Sequence, residues 1–249
     1  MKIITLFFVM CSISLSHAQQ NTRIQENVEK SYFTTNSMEE LMNKFISLPC
    51  GITAKDSMNI VLDKLDNFLK NYVPDPKYTD ERYALASCRE SLKGVKEGGY
   101  GIGAVLIDDK GNILALGHNE QIQLNRSDLH GEMTLLTNFE QSDKARAYMN
   151  GYTYKKGVWL FTSLEPCPMC FIRIGEGELD AKYSTPGPDG GMITRECLSP
   201  SWRDRLSRRK FEQGNCSPLL QKVGHLLAFY TFLDGRGVHK NVSESEIKQ

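Results

Sequence analysis

His130-Gly131-Glu132 and Pro166-Cys167-Pro168-Met169-Cys170 are the two stretches that organise the reading of this 249-residue chain. Together they spell H-x-E followed by P-C-x-x-C. The pattern has a chemical logic. A zinc ion held by three protein ligands keeps its fourth position for a water and lowers the pKa of that water toward neutrality. His130 offers nitrogen; Cys167 and Cys170 offer thiolate sulfur. Two residues separate the cysteines, so both can reach one metal from the first turn of a helix, where the helix dipole favours the thiolate form. Glu132 is spaced to act beside the metal without ligating it, as a general acid/base would. A lone C-x-x-C in an exported chain could instead be a disulfide or redox pair, and a lone H-x-E says almost nothing. The two in this order, each at a predicted helix start, are far more specific. A purely structural zinc wants four closed protein ligands, and the local sequence supplies three.

Outward from these motifs the hydrophobic pattern supplies a consistent frame. Upstream, Ile102 to Ile107 is a continuous apolar run, Asp108 to Asn112 a turn, and Ile113 to Leu116 a partner strand, which is the pattern of a hairpin. Asn119 to Leu129 is polar and reads as a loop. A helix is predicted from His130 to about Glu140, with Met133, Leu136 and Phe139 facing inward. Residues 141–156 form a polar connection. Val158 to Ser163 is a second buried strand that delivers the chain to Glu165-Pro166-Cys167. A helix from Cys167 to about Glu176 and a short strand from Ala181 to Ser184 follow, then a loop from Thr185 to Gly191. Ser201 to Phe211 reads as a basic helix and Ser217 to Leu233 as a final amphipathic helix. A hairpin followed by alternating strands and helices predicts an α/β fold with a mixed sheet covered on both faces. Both motifs fall at helix starts, where open α/β sheets place ligands.

Before this region, Thr79 or Asp80 caps a helix through about Lys96. Earlier still, Ser37-Met38-Glu39-Glu40 is a capping box, and Thr53-Ala54-Lys55-Asp56 opens a second helix whose apolar stripe runs from Met58 to Tyr72. Together they predict an N-terminal helical hairpin. The polar residues 19–36 read as a tail. Met1-Lys2, an apolar run from Ile3 to Leu15 and Ser16-His17-Ala18 have the form of a secretory signal peptide cut after Ala18; the run is too short to span a membrane. The expected organisation is therefore a signal peptide over 1–18, a tail and helical hairpin over 19–77, a main domain over 78–235 and a disordered tail over 236–249. Export to the periplasm or medium would follow. Thirty basic residues balance thirty acidic ones, so no global field recruits nucleic acid. If Cys167 and Cys170 bind metal, then Cys50, Cys88, Cys197 and Cys216 remain in the mature chain, and an oxidising compartment allows three pairings among them.

H-x-E with P-C-x-x-C is the signature of the zinc-dependent nucleobase deaminases, and from about Tyr78 to Gly191 the chain resembles the cytidine deaminase-like superfamily. Glu97-Gly98-Gly99-Tyr100-Gly101-Ile102-Gly103, Gly117-His118-Asn119 and Leu129-His130-Gly131-Glu132 look like fungal-type cytosine deaminases; Ser163-Leu164-Glu165-Pro166-Cys167-Pro168-Met169-Cys170 looks like the guanine and tRNA adenosine deaminases. The resemblance implies a three-layer α/β/α sandwich around a five-stranded mixed sheet, commonly dimeric, with one Zn2+ per subunit held by His130, Cys167 and Cys170. It implies that Glu132 moves protons during hydrolysis of an exocyclic amine to ammonia, and that the substrate is a small base or nucleoside of cytosine or guanine type. Asn119 and the Gly131 N–H would bind the base, Ile102 would form an apolar wall, and the Glu165 carbonyl would accept from the leaving amine. Asn119 is also a plausible turn former, Ile102 a plain strand residue and Glu165 a loop brace; His118 lies outside the ligand pattern. Two other functions stay open: a deaminase of polynucleotides, for which the basic stretch 203–210 would be the grip, and a binding protein on a degenerate fold, against which the intact Glu132 counts.

Overall fold

The computed structural model of the chain describes residues 37–187 and 198–233. The signal peptide, the tail over 19–36, the far part of the 185–191 loop, Cys197 and the C-terminal tail lie outside them. The first helix, α1 (Met38–Ile46), starts as its capping box predicts: the Ser37 hydroxyl accepts the Glu40 N–H at 3.1 Å, with Glu39 and Glu40 in the first turn. Such a cap satisfies a free N–H group and places acid at the positive end of the helix. The second helix, α2 (Met58–Asn71), begins later than expected. Asp56 accepts the Thr53 N–H at 2.7 Å and Lys64 Nζ at 2.7 Å, so Thr53–Asp56 closes into a turn of its own and Ser57 precedes the helix. Leu41, Phe45, Val61, Leu65 and Leu69 bury the inner faces of the pair.

After α3 (Glu81–Lys96) come the hairpin strands β1 (Gly103–Ile107) and β2 (Ile113–His118). Asp108 Oδ1 closes their turn by accepting the N–H groups of Lys110 and Asn112 at 2.9 and 2.7 Å. The predicted loop beyond β2 contains one helical turn, Gln121–Leu124. Helix α4 (Gly131–Glu140) follows. Leu135, not Met133, takes an inward place beside Leu136 and Phe139; Met133 is only half-buried. Residues 141–156 hold a further helical turn and the short ribbon Met149–Asn150/Thr153–Tyr154, which sets the Tyr154 ring against Phe139. Then come β3 (Trp159–Leu164), α5 (Pro168–Glu176), β4 (Asp180–Thr185), α6 (Pro200–Ser207), β5 (Phe211–Gln213) and α7 (Pro218–Leu233).

The sheet runs β2-β1-β3-β4-β5. Strand β1 is antiparallel to β2 and β3, while β3, β4 and β5 are parallel. This is the expected five-stranded mixed sheet. Helices α3 and α7 cover one face, with α1 on α7 and α2 on α3. On the other face Leu135, Leu136 and Phe139 of α4, Phe171 and Ile174 of α5 and Leu206 of α6 pack against Ala104, Leu106, Leu160 and Ala181 of the sheet. The chain is thus an α/β/α sandwich. The single basic helix expected over Ser201–Phe211 is a correction: α6 ends at Ser207, and Phe211 enters the edge strand. Its ring packs 4.4 Å from Phe171 in the core, and the Ala181 N–H donates to the Lys210 carbonyl at 2.8 Å. Burial of one aromatic ring and a strand pairing outweigh the helical propensity of the basic run. Among the described residues no helix is long and apolar enough to cross a membrane.

Candidate active site

Strand register brings the two motifs to one end of the sheet. Gly103 at the start of β1 pairs with His118 at the end of β2, and its neighbour Ala104 pairs with Thr162 near the end of β3. The segments that leave these ends carry Ile102, Asn119 and Glu165. His130 is the residue before α4 and Cys167 the residue before α5; both have extended backbone (φ −66°, ψ 158° and φ −65°, ψ 168°), and Pro168 opens α5. Pro suits a first helical position because no intrahelical bond is lost there. Gly131 follows His130 because nothing larger fits: a Cβ would sit 2.7 Å from the Ile102 carbonyl oxygen. That same oxygen accepts the Asn119 N–H at 3.0 Å, so Ile102, Asn119 and Gly131 meet at one point.

His130, Cys167 and Cys170 converge, their ligand atoms all within 4.8 Å of one another. Cys167 Sγ lies 3.4 Å from His130 Nδ1. The Cys167 pKa is pulled down to about 4, first by the hydrogen bond from Cys170 and, against the cost of burial, by His130. That bond and burial push the Cys170 thiol up. One thiolate already stands ready, and a nitrogen and two sulfurs at this spacing are a fitting donor set for zinc. Glu132 is buried, 3% exposed. Burial raises its pKa, and it shares a hydrogen bond with Cys170.

The other expected residues are placed unequally. Asn119 is buried, with its amide held by Gln121: Nδ2 donates to Gln121 Oε1 at 2.7 Å, and Oδ1 accepts the Gln121 N–H at 3.1 Å. Ile102 lies just outside β1 and is half-buried, so it is not the core strand residue its run suggested. Glu165 acts as a brace. Its N–H donates to the Thr185 carbonyl at 2.8 Å, and its carboxylate accepts the Gly187 N–H at 3.2 Å. The His118 ring is held by the carboxylates of Glu90 in α3 and Glu97 just after it, and the ligand trio does not include it. Two residues escaped the sequence reading: Gln121, which orients Asn119, and Thr162, whose Oγ1 lies 3.2 Å from Glu132 Oε1. A hydroxyl inside the apolar run of β3 was the available signal for Thr162, since buried hydroxyls are there to bond something.

Residues 77–181 match the family model of the cytidine and deoxycytidylate deaminase zinc-binding region. Over these residues the chain is similar to the cytidine deaminase-like superfamily. It is 34% identical over 93 residues to a cytosine deaminase of Candida albicans, covering 37% of this chain and 57% of that one. It is 36% identical over 91 residues to a tRNA-specific adenosine deaminase of Bacillus subtilis, covering 36% and 52%. The chain therefore spans little more than half the length of these curated relatives. Among solved structures, a guanine deaminase from Nitrosomonas europaea is 18% identical, with a TM-score of 0.46 over 68% of this chain and 92% of that one. A tRNA:A34 deaminase is 20% identical, with a TM-score of 0.45 over 59% and 98%. The matched stretch 77–181 contains His130, Glu132, Cys167 and Cys170.

Proposed function

We propose that the chain is a zinc-dependent hydrolytic deaminase of a small nucleobase or nucleoside of cytosine or guanine type. The observation that carries the reading is the convergence of His130, Cys167 and Cys170 beside the buried Glu132. His130, Cys167 and Cys170 would hold Zn2+, which when bound supplies an activated water as nucleophile. Glu132 would take one proton from the attacking water and pass it to the ring nitrogen next to the carbon under attack, then carry the second water proton to the departing amine, so that water and amine become carbonyl and ammonia. Asn119 keeps a second Nδ2 proton free for the base after its bond to Gln121. The Gly131 N–H is a further donor, Ile102 a wall, and the Glu165 carbonyl an acceptor for the amine.

A polynucleotide reading gains little from the basic stretch. Arg205 pairs with Glu176 at 2.8 Å, Arg208 with Asp204 at 2.5 Å, and Arg209 donates to the Glu178 carbonyl at 2.7 Å. Cations spent on the chain's own acceptors make a poor phosphate grip. We further propose export through the leader ending at Ala18, and a homodimer. Glu132→Ala is the test of the reading: the variant keeps one zinc per chain but loses about 10²–10⁴-fold in ammonia release, the usual worth of a general acid/base. Undiminished turnover in that variant would refute the assignment.

A further inference from the structure

Thr162 lies in the middle of the sheet with no exposed surface. Its Oγ1 sits 3.2 Å from Glu132 Oε1 and 3.3 Å from the Gly103 carbonyl oxygen. A hydroxyl carries one proton and two lone pairs, so it cannot donate to both acceptors at once. With Glu132 ionised, the Thr162 proton goes to the carboxylate. Oγ1 thus stands within hydrogen-bond reach of both the Glu132 carboxylate and the Gly103 carbonyl.

The backbone beside this hydroxyl is fixed. Ser163 Oγ accepts the Gly103 N–H at 3.1 Å, and Ser91 Oγ lies 2.8 Å from Ser163 Oγ. Consecutive residues of β3 thus hold the two polar groups of Gly103, Thr162 taking the carbonyl and Ser163 the amide. Helix α3 leaves Gly103 no room to shift: a Cβ there would meet the Ser87 carbonyl oxygen at 2.3 Å. β-Branching at Thr162 restricts its own χ1 within the strand. We infer that Thr162 is a positioning residue for Glu132, its fixed hydroxyl holding the carboxyl beside the His130/Cys167/Cys170 trio. The inference rests on the reading of Glu132 as proton shuttle.

The test compares Thr162→Val, which keeps shape and loses the hydroxyl, with Thr162→Ser, which keeps the hydroxyl. Each is assayed for ammonia release from cytosine and from guanine, for zinc content and for melting temperature, beside Glu132→Ala. The expected result for Thr162→Val is a fall in kcat of about tenfold, the equivalent of one hydrogen bond of ordinary strength. KM should stay within about twofold, with one zinc per chain retained. Thr162→Ser should restore kcat to near the parent value. A crystal structure of Thr162→Val should show the Glu132 carboxyl rotated from its parental position while the three ligand side chains stay in place. Parental kcat and an unmoved Glu132 in Thr162→Val, with Glu132→Ala inactive, would overturn the inference and leave the deaminase reading intact; an active Glu132→Ala would overturn both. Should the valine variant lose zinc or melt early, Thr162→Cys replaces it. A cysteine variant as active as the serine one would equally overturn the role of the hydroxyl.

Discussion

Replacing His118 by leucine should destabilise the fold more at pH 6 than at pH 9. The ring is 5% exposed, with Nδ1 3.0 Å from Glu90 Oε2 and Nε2 3.0 Å from Glu97 Oε2; Glu120 is 4.0 Å from Nε2. A neutral imidazole has one N–H and can serve one of these carboxylates, whereas an imidazolium serves both. Burial lowers the His118 pKa, but the bonds and charges of Glu90 and Glu97 outweigh it, so the pKa ends above 6.5. A folded-state value above the unfolded one means stability fully present below about pH 6.5 and lost as pH climbs through the folded value. Leucine fills the volume but leaves Glu90, 15% exposed, facing no cation, while Glu97 at 45% exposure rehydrates. The loss at pH 6 should therefore lie at the lower end of that for a broken buried pair, about 3 kcal/mol. For a chain of this size that is about 6–12 °C in melting temperature. Urea unfolding of both proteins, zinc-loaded and at fixed ionic strength, measures the difference at each pH. It should shrink steadily from pH 6 to pH 9, because the parent loses its own cation. A difference that stays constant across that range, or a loss under about 1 kcal/mol at pH 6, would mean that the ring acts by packing alone.

Cys167→Ala should lose zinc on dialysis, while Cys88→Ala and Cys216→Ala should keep it; both of those thiols are free, buried and pushed up in pKa by burial. Metal analysis of the three purified variants checks this. Gly101→Ala should cost about 1–3 kcal/mol through overpacking, since its Cβ would sit 2.2 Å from the Leu227 carbonyl oxygen; denaturant midpoints report it. In an NMR titration His225, stacked on Phe229 at 4.4 Å, should change charge near pH 4, on the opposite side of 6.5 from His118, because burial and then Lys44 lower it. The sign is the reverse of that for His118: the unfolded chain binds this proton first, so stability present above pH 6.5 is eroded as pH falls toward 4.

The parts legible in the sequence share a cause. The His130/Cys167/Cys170 trio could be read because its residue types and spacings are those metal chemistry asks for, and β1, β3, α4 and α5 because their apolar runs and turn residues act locally. What could not be read depended on partners far along the chain. Strand β5 exists because Phe211 finds Phe171 and the backbone of Ala181, and nothing in the run Arg208-Arg209-Lys210-Phe211 announces either. The Asn119 orientation depends on Gln121 in what read as plain loop, and the posture of Glu132 depends on a hydroxyl thirty residues away in sequence. Met133 was misjudged because the inward face of α4 is centred on Leu135, Leu136 and Phe139, with Glu132 and Thr134 also buried, and Met133 falls at its margin.

The appended helices belong to the same physical economy as the site. Arg89 of α3 donates to the Leu69 carbonyl at the end of α2 at 2.7 Å. The Tyr72 hydroxyl donates to Glu81 Oε1, and Glu81 Oε2 accepts the Ser217 N–H at 2.7 Å. A single buried carboxylate thus joins the end of α2 and the starts of α3 and α7. Those two longer helices form the layer behind β1 and β3: Ser91 of α3 bonds Ser163, and Thr231 of α7 donates to the Gly99 carbonyl at 3.2 Å. Ser163 is the neighbour of Thr162, and Gly99 lies three residues before Ile102. The two N-terminal helices, α1 on α7 and α2 on α3, are therefore built onto the layer that fixes the backbone beneath Glu132 and Ile102. Removing Met38–Asn71 would uncover the faces of α3 and α7 on which α2 and α1 pack and strip Arg89 of its acceptor, so a truncated chain should lose stability across the whole sandwich and not merely shed an ornament.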